Sequence, residues 1–117
     1  MKTEYVKVSG IPGPIEFWIG SNAQDNFDMI DEADQYDMWF HVNNESSGHV
    51  IARISDNKEL NKKLLNKIII QGGVICKKHS KYKSKQDLEI VYTRVFDIVK
   101  THTTGKVILR SSKVFTI

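Results

Sequence analysis

One cysteine, Cys76, stands in 117 residues. No internal disulfide can form, and a reducing compartment, the cytoplasm, is the expected setting. No apolar run approaches the ~20 residues of a membrane-spanning helix, and the opening MKTEYVKVSG lacks the apolar core of a signal peptide. The two prolines, Pro12 and Pro14, share one segment, so proline interrupts nothing else. There is no phosphate-binding P-loop, no Gly-x-Ser-x-Gly and no His-Glu-x-x-His. His41 precedes Val42-Asn43 and His49 precedes Val50-Ile51, so neither has the x-Ser/Thr of a two-histidine phosphoesterase. These absences argue against an enzyme, and no cofactor is expected. Neither repeat nor linker divides the chain, and its length suits one domain over residues 1–117.

Charge is unevenly spread. Residues 1–50 hold two lysines against nine acids, net −7, and residues 51–117 hold fifteen basic residues against five acids, net +10. Arginine occurs only at Arg53, Arg94 and Arg110, and between Glu59 and Asp87 there are eight lysines and no acid. A segment of this kind is either a solvated helix face or an electrostatic footprint for a polyanion. The acidic run Asp25, Asp28, Asp31, Glu32 and Asp34 lacks the alternating spacing of a calcium loop and reads as solvated.

The most informative stretch is Asp37–Ile54, DMWFHVNNESSGHVIARI. Met38, Phe40 and Val42 alternate with Asp37, Trp39 and His41; after the turn formers Asn43–Gly48, His49, Ile51 and Arg53 alternate with Val50, Ala52 and Ile54. Paired as a hairpin, the two segments place Trp39, His41, His49 and Arg53 on one face. Met38, Phe40, Val42, Val50 and Ile54 fall on the other.

The remaining pattern predicts an α+β domain with a mixed or antiparallel sheet of six or seven strands, one long helix and one short helix. Strands are expected at Tyr5–Val8, Ile15–Ile19, Leu88–Thr93, Val95–Val99, Lys106–Arg110 and Lys113–Ile117, with Ser9–Pro14 as a turn outside any ladder. Asn22 is placed to cap a short helix over residues 23–33 that faces Phe27 and Ile30 inward. Leu60, Leu64, Ile68, Gly72, Ile75 and His79 mark a long helix from roughly Lys58 to Lys81, with its N-cap at Ser55-Asp56-Asn57. Gly72-Gly73 either lets that helix approach the sheet closely or ends it, with Val74–Cys76 then a strand; the continuous helix is preferred.

The blocks IGSNAQDN (Ile19–Asn26), DMWFHV (Asp37–Val42), GHV (Gly48–Val50), VYT (Val91–Thr93) and Gly105-Lys106-Val107 follow one another in an order that resembles the NFACT-R domain. That is the RNA-binding-type domain of ribosome-associated quality-control factors. The family motif falls here on Gly20, Asn22, Asn26, Asp37, Trp39, Phe40, His41, His49, Tyr92 and Gly105, with Gly72-Gly73 where the family has small residues in its long helix. Ser46-Ser47-Gly48 replaces the Pro-Gly-Ser of many members and is similar to the free-standing branch, the coiled-coil-domain-containing proteins. These 117 residues match neither the coiled-coil tail of that branch nor the N-terminal domain and helical arm of the large factors, and none of these is expected. The resemblance therefore implies a stand-alone module binding RNA, tRNA or ribosome-associated RNA in translation, without the peptide-tailing activity of the full-length factors.

The candidate nucleic-acid residues are Trp39, His41, His49, Arg53, Lys77, Lys78, Lys81 and Arg94. Trp39 is either a stacking surface for a base or a sheet aromatic covered by the long helix. His41 and His49 are either phosphate or base contacts or internally satisfied histidines. Lys77, Lys78 and Lys81 would contact phosphates, with Lys83 and Lys85 adding to the field. A metal set of His41, His49, Cys76 and His79 is disfavoured, because zinc ligands usually come as tighter pairs on loops. DNA is an alternative ligand. The rival class is a protein-interaction module, its acidic half docking on a ribosomal or other basic partner.

Overall fold

In the structure, a computed structural model that describes residues 1–57 and 60–117, period-2 alternation builds the sheet first. Strands β1 (Lys2–Lys7), β2 (Pro14–Ile19), β3 (Met38–Val42), β4 (Val50–Arg53), β5 (Glu89–Arg94) and β8 (Lys113–Thr116) pair antiparallel throughout, in the order β1-β2-β4-β3-β5-β8. Helix α1 (Ala23–Glu32) follows β2, and α2 (Lys62–Lys78) follows β4. β6 (Ile98–Lys100) and β7 (Val107–Leu109) form a separate two-stranded hairpin. The fold is α+β as expected, with six strands in the main sheet and two more beside it. Among the described residues no helix is long and apolar enough to cross a membrane.

Alternation on β3 and β4 sorts residues into two cores, one on each face of the sheet. Met38, Phe40, Val42, Val50, Ala52 and Ile54 join Ile68, Ile69, Ile75 and Cys76 of α2 in the first. Trp39 and Ile51 join Trp18, Val91 and Val95 under Met29, Ile30 and Ala33 of the α1 segment, with Val107 and Leu109 of β7 packed alongside. The facing expected for the hairpin is what the structure has.

Helix α2 runs unbroken through Gly72-Gly73. A Cβ on Gly72 would stand 2.2 Å from Cζ of the buried Phe40 ring, so the helix can lie this close to the sheet only without a side chain there. The start of this helix differs from expectation. Its N-cap is Asn61, whose side chain accepts from the Leu64 N–H at 2.9 Å. Ser55-Asp56 form a turn instead, and the expected first positions, Lys58 and Glu59, lie outside the described residues. Asn22 caps α1 as expected, accepting from the Asp25 N–H at 2.8 Å.

Two further boundaries are corrected. Pro14 opens β2, paired with Lys7, at the first strand position where a missing N–H is tolerated. The expected strand Val95–Val99 begins as a 3-10 turn, Val95–Asp97, because the Val95 and Phe96 N–H groups are drawn to the Asp37 and Gln35 carbonyls, both at 3.0 Å.

Candidate nucleic-acid interface

Four segments converge beyond the end of β3: the turn Gly20–Asn22, the β3–β4 loop Asn43–Gly48, the end of α2 at His79–Lys81, and the β6–β7 loop around Gly105. They enclose a cleft of about 1240 Å³. The glycines explain how backbone comes so close. The Gly20 N–H donates to the His49 carbonyl at 2.9 Å, and the His49 N–H donates to Asn26 Oδ1 at 3.1 Å. A Cβ on Gly20 would lie 1.9 Å from that same Oδ1. Gly105 has φ +85°, the left-handed region, and a Cβ there would also meet Ala23 Cβ at 2.8 Å.

The floor is aromatic. His41 stacks on Trp39 with ring centroids 5.6 Å apart and planes 5° from parallel. His49 stands edge-on to both, 5.1 Å from Trp39 and 5.3 Å from His41. Nδ1–H of His41 donates to the Val42 carbonyl at 2.7 Å. Trp39 Nε1 and His49 Nδ1 are buried with no hydrogen-bond partner among the described residues. Burial, reinforced by neighbouring His41, pushes His49 down to about 3, against a raising contribution from the Gly105 backbone. Burial lowers His41 as well, opposed by hydrogen bonding to the Val42 and Ser47 backbone. Both imidazoles are thus neutral at neutral pH, so the positive charge of the cleft comes from its rim. Among the described residues, Lys2, Lys81 and Lys106 line it with one carboxylate, Glu45. That carboxylate accepts from the Tyr82 hydroxyl at 2.7 Å.

A family model described as the NFACT protein RNA binding domain matches residues 15–115, which include all the residues of this floor. The chain belongs to that family.

A solved structure of the C-terminal part of the fibronectin/fibrinogen-binding protein from Streptococcus suis (FBPS) superposes on this NFACT RNA-binding domain with a TM-score of 0.79. The alignment covers 100% of this chain but 45% of that one, at 18% identity, so what it shows is a shared fold. No curated protein matches the chain.

Of the eight candidate residues in this NFACT RNA-binding domain, the cleft brings together Trp39, His41, His49 and Lys81. Trp39 is 2% exposed and offers no open face to a base; of its two readings the covered one fits, with α1 and the β6–β7 hairpin as the cover rather than α2. Arg53 lies at the other end of the hairpin, its Nε donating to Asp37 Oδ2 at 2.7 Å and its guanidinium 4.0 Å over the Trp18 ring. Arg94 donates to the Tyr36 carbonyl at 2.6 Å. Lys77 donates to the Ile117 carbonyl at 3.1 Å, and Lys78 meets Glu4 at 3.0 Å. The expected row of three phosphate-binding lysines is therefore split, because two of them face other partners and not the cleft.

Glu4 also holds His79. That hydrogen bond is the main reason its carboxyl lies below the usual range, with Lys78 acting in the same direction. Cys76 belongs to the α2 core, across the sheet from the His41–His49 face, and burial pushes its thiol up to about 12. The disfavoured metal set is thus divided between two faces, and among the described residues no group of three or more His, Cys, Asp or Glu is placed to hold a metal.

Two rim lysines are absent from the candidates that the sequence suggests. Lys106 follows Gly105 within a motif block, so a signal for it exists. Lys2 has none, since only folding brings β1 beside the end of α2.

Proposed function

We propose that this domain binds RNA in the cleft, with tRNA or ribosome-associated RNA as the ligand and the cytoplasm as the setting. The observation that carries the reading is the meeting of Lys2, Lys81 and Lys106, from three distant parts of the chain, around the cleft formed by the family-motif residues. Lysines at a concave rim contact successive phosphates and release counterions. The loop backbone from Asn43 to Gly48 adds polar groups that adapt to sugar and base edges. We read the domain as a binding module and not as an enzyme: its one thiol is buried in the α2 core, across the sheet from the two histidines of the floor.

Affinity for tRNA, single-stranded RNA and duplex DNA measured across a salt series tests this. All three lysines are exposed, so the triple alanine variant Lys2→Ala/Lys81→Ala/Lys106→Ala keeps the fold. Its salt slope should fall by roughly 0.7–0.9 for each phosphate that is no longer neutralised. Parent-like RNA binding by that variant at low salt would remove the cleft from consideration. Absence of nucleic-acid binding by the parent would favour docking of a basic protein partner instead.

A further inference from the structure

Tyr36 and Phe96 are large apolar side chains left on the surface, 64% and 38% exposed. Tyr36 lies in the turn before β3 and Phe96 in the 3-10 turn after β5. Their rings meet edge to face, centroids 5.7 Å apart and planes at 90°. The Phe96 N–H donates to the Gln35 carbonyl at 3.0 Å, so the pairing is fixed by the backbone as well as by the rings. Each ring also has an arginine at its own carbonyl. Arg94 Nη1 donates to the Tyr36 carbonyl at 2.6 Å, and Arg110 Nη1 donates to the Phe96 carbonyl at 3.1 Å. The third arginine, Arg53, is engaged with Asp37 and Asp34, two acids close to Tyr36 in the chain.

We propose that the Tyr36–Phe96 pair, flanked by Arg94 and Arg110, is a stacking platform for unpaired RNA bases, separate from the cleft. Exposed π-faces beside guanidinium groups suit a base lifted out of a duplex. The two carbonyl hydrogen bonds hold both guanidinium groups close to the ring pair. The platform lies at the start of β3 and the cleft beyond its end. At about 3.3 Å per residue, Tyr36 and Asn43 are roughly 23 Å apart along the strand, within reach of one single strand of several nucleotides. The platform rests on the RNA reading given above, and it extends that reading from phosphate contact to recognition of single-strandedness.

The test replaces the rings without removing apolar bulk, as Tyr36→Leu/Phe96→Leu, with circular dichroism to verify the fold and Tyr36→Trp/Phe96→Trp as the rescue. Oligouridine and an RNA duplex of the same length are titrated into each protein. The leucine variant should bind oligouridine roughly 5- to 100-fold more weakly, with an unchanged salt slope, while duplex affinity stays put and the tryptophan variant binds like the parent. Unchanged oligouridine binding by the leucine variant overturns the platform, as does an equal loss for the duplex. If the Lys2/Lys81/Lys106 variant alone loses affinity, the cleft stands and the platform falls. If only the leucine variant loses it, the platform stands and the cleft falls. A parent that binds neither RNA overturns both.

Discussion

Removing the carboxylate of Asp37 should do more damage than removing its arginine partner. Asp37 is fully buried and accepts four hydrogen bonds: Ile54 N–H at 2.8 Å and Ser55 N–H at 3.0 Å on Oδ1, Asp34 N–H at 3.0 Å and Arg53 Nε at 2.7 Å on Oδ2. Asp37→Ala leaves three backbone donors without their acceptor and the Arg53 guanidinium with only the more distant Asp34 as counter-ion, at 3.7 Å. Breaking a buried charged pair in this way costs on the order of 3–5 kcal/mol. At roughly 4 °C per kcal/mol for a chain of this length, the thermal midpoint should fall by about 12–20 °C. Arg53→Ala leaves the carboxylate with its three N–H donors and should cost about 2 kcal/mol, including the lost stacking on Trp18. Urea unfolding followed by circular dichroism measures both, read at constant m-value. A loss below about 1 kcal/mol for Asp37→Ala, or a larger loss for Arg53→Ala, would refute the view that Asp37 organises this corner. The same Arg53→Ala protein should keep the parent's salt slope for RNA, because that guanidinium is committed to the fold.

Gly72→Ala would drive a methyl group to 2.2–2.5 Å from three ring carbons of Phe40. Overpacking of about 1–3 kcal/mol should exceed the gain of up to ~1 kcal/mol in helix propensity, and Phe40→Leu in the same chain should recover part of the loss in thermal unfolding. His49 contributes a pH dependence whose sign follows from its lowered pKa, 6.5 falling to about 3. Between those values the unfolded chain holds a proton that the folded chain refuses. Stability is therefore full above pH 6.5 and falls as pH drops below it, by up to about 1.4 kcal/mol per unit. His41 acts in the same direction. Urea midpoints between pH 7 and pH 4.5 should show the decline, and His49→Gln should flatten it.

The hairpin was legible because period 2 admits only two facings, and Met38, Phe40, Val42 and Val50 cannot all face water. The continuous α2 was legible from its apolar stripe together with the small residues at Gly72-Gly73. The second layer was not. Trp39 looks amphipathic enough for a surface, and what buries it comes from α1 and a three-residue strand, Val107–Leu109, too short to carry a pattern. The commitment of Arg53 to Asp37 depends on their meeting at one end of the hairpin, which composition does not reveal. The rim of the cleft depends on β1, the end of α2 and the β6–β7 loop meeting, and a run of lysines in sequence says nothing about which of them turn toward that point.

Mapping amide shifts in ¹⁵N spectra as RNA is titrated into the protein locates the interface most directly. Binding in the cleft predicts the largest changes at Gly20, Asn22, Asn43–Gly48, Lys81, Gly105 and Lys106, with smaller ones at Tyr36 and Phe96. Changes confined to the outer face of α2 around Ile70 and Val74, with the cleft residues unmoved, would contradict the account.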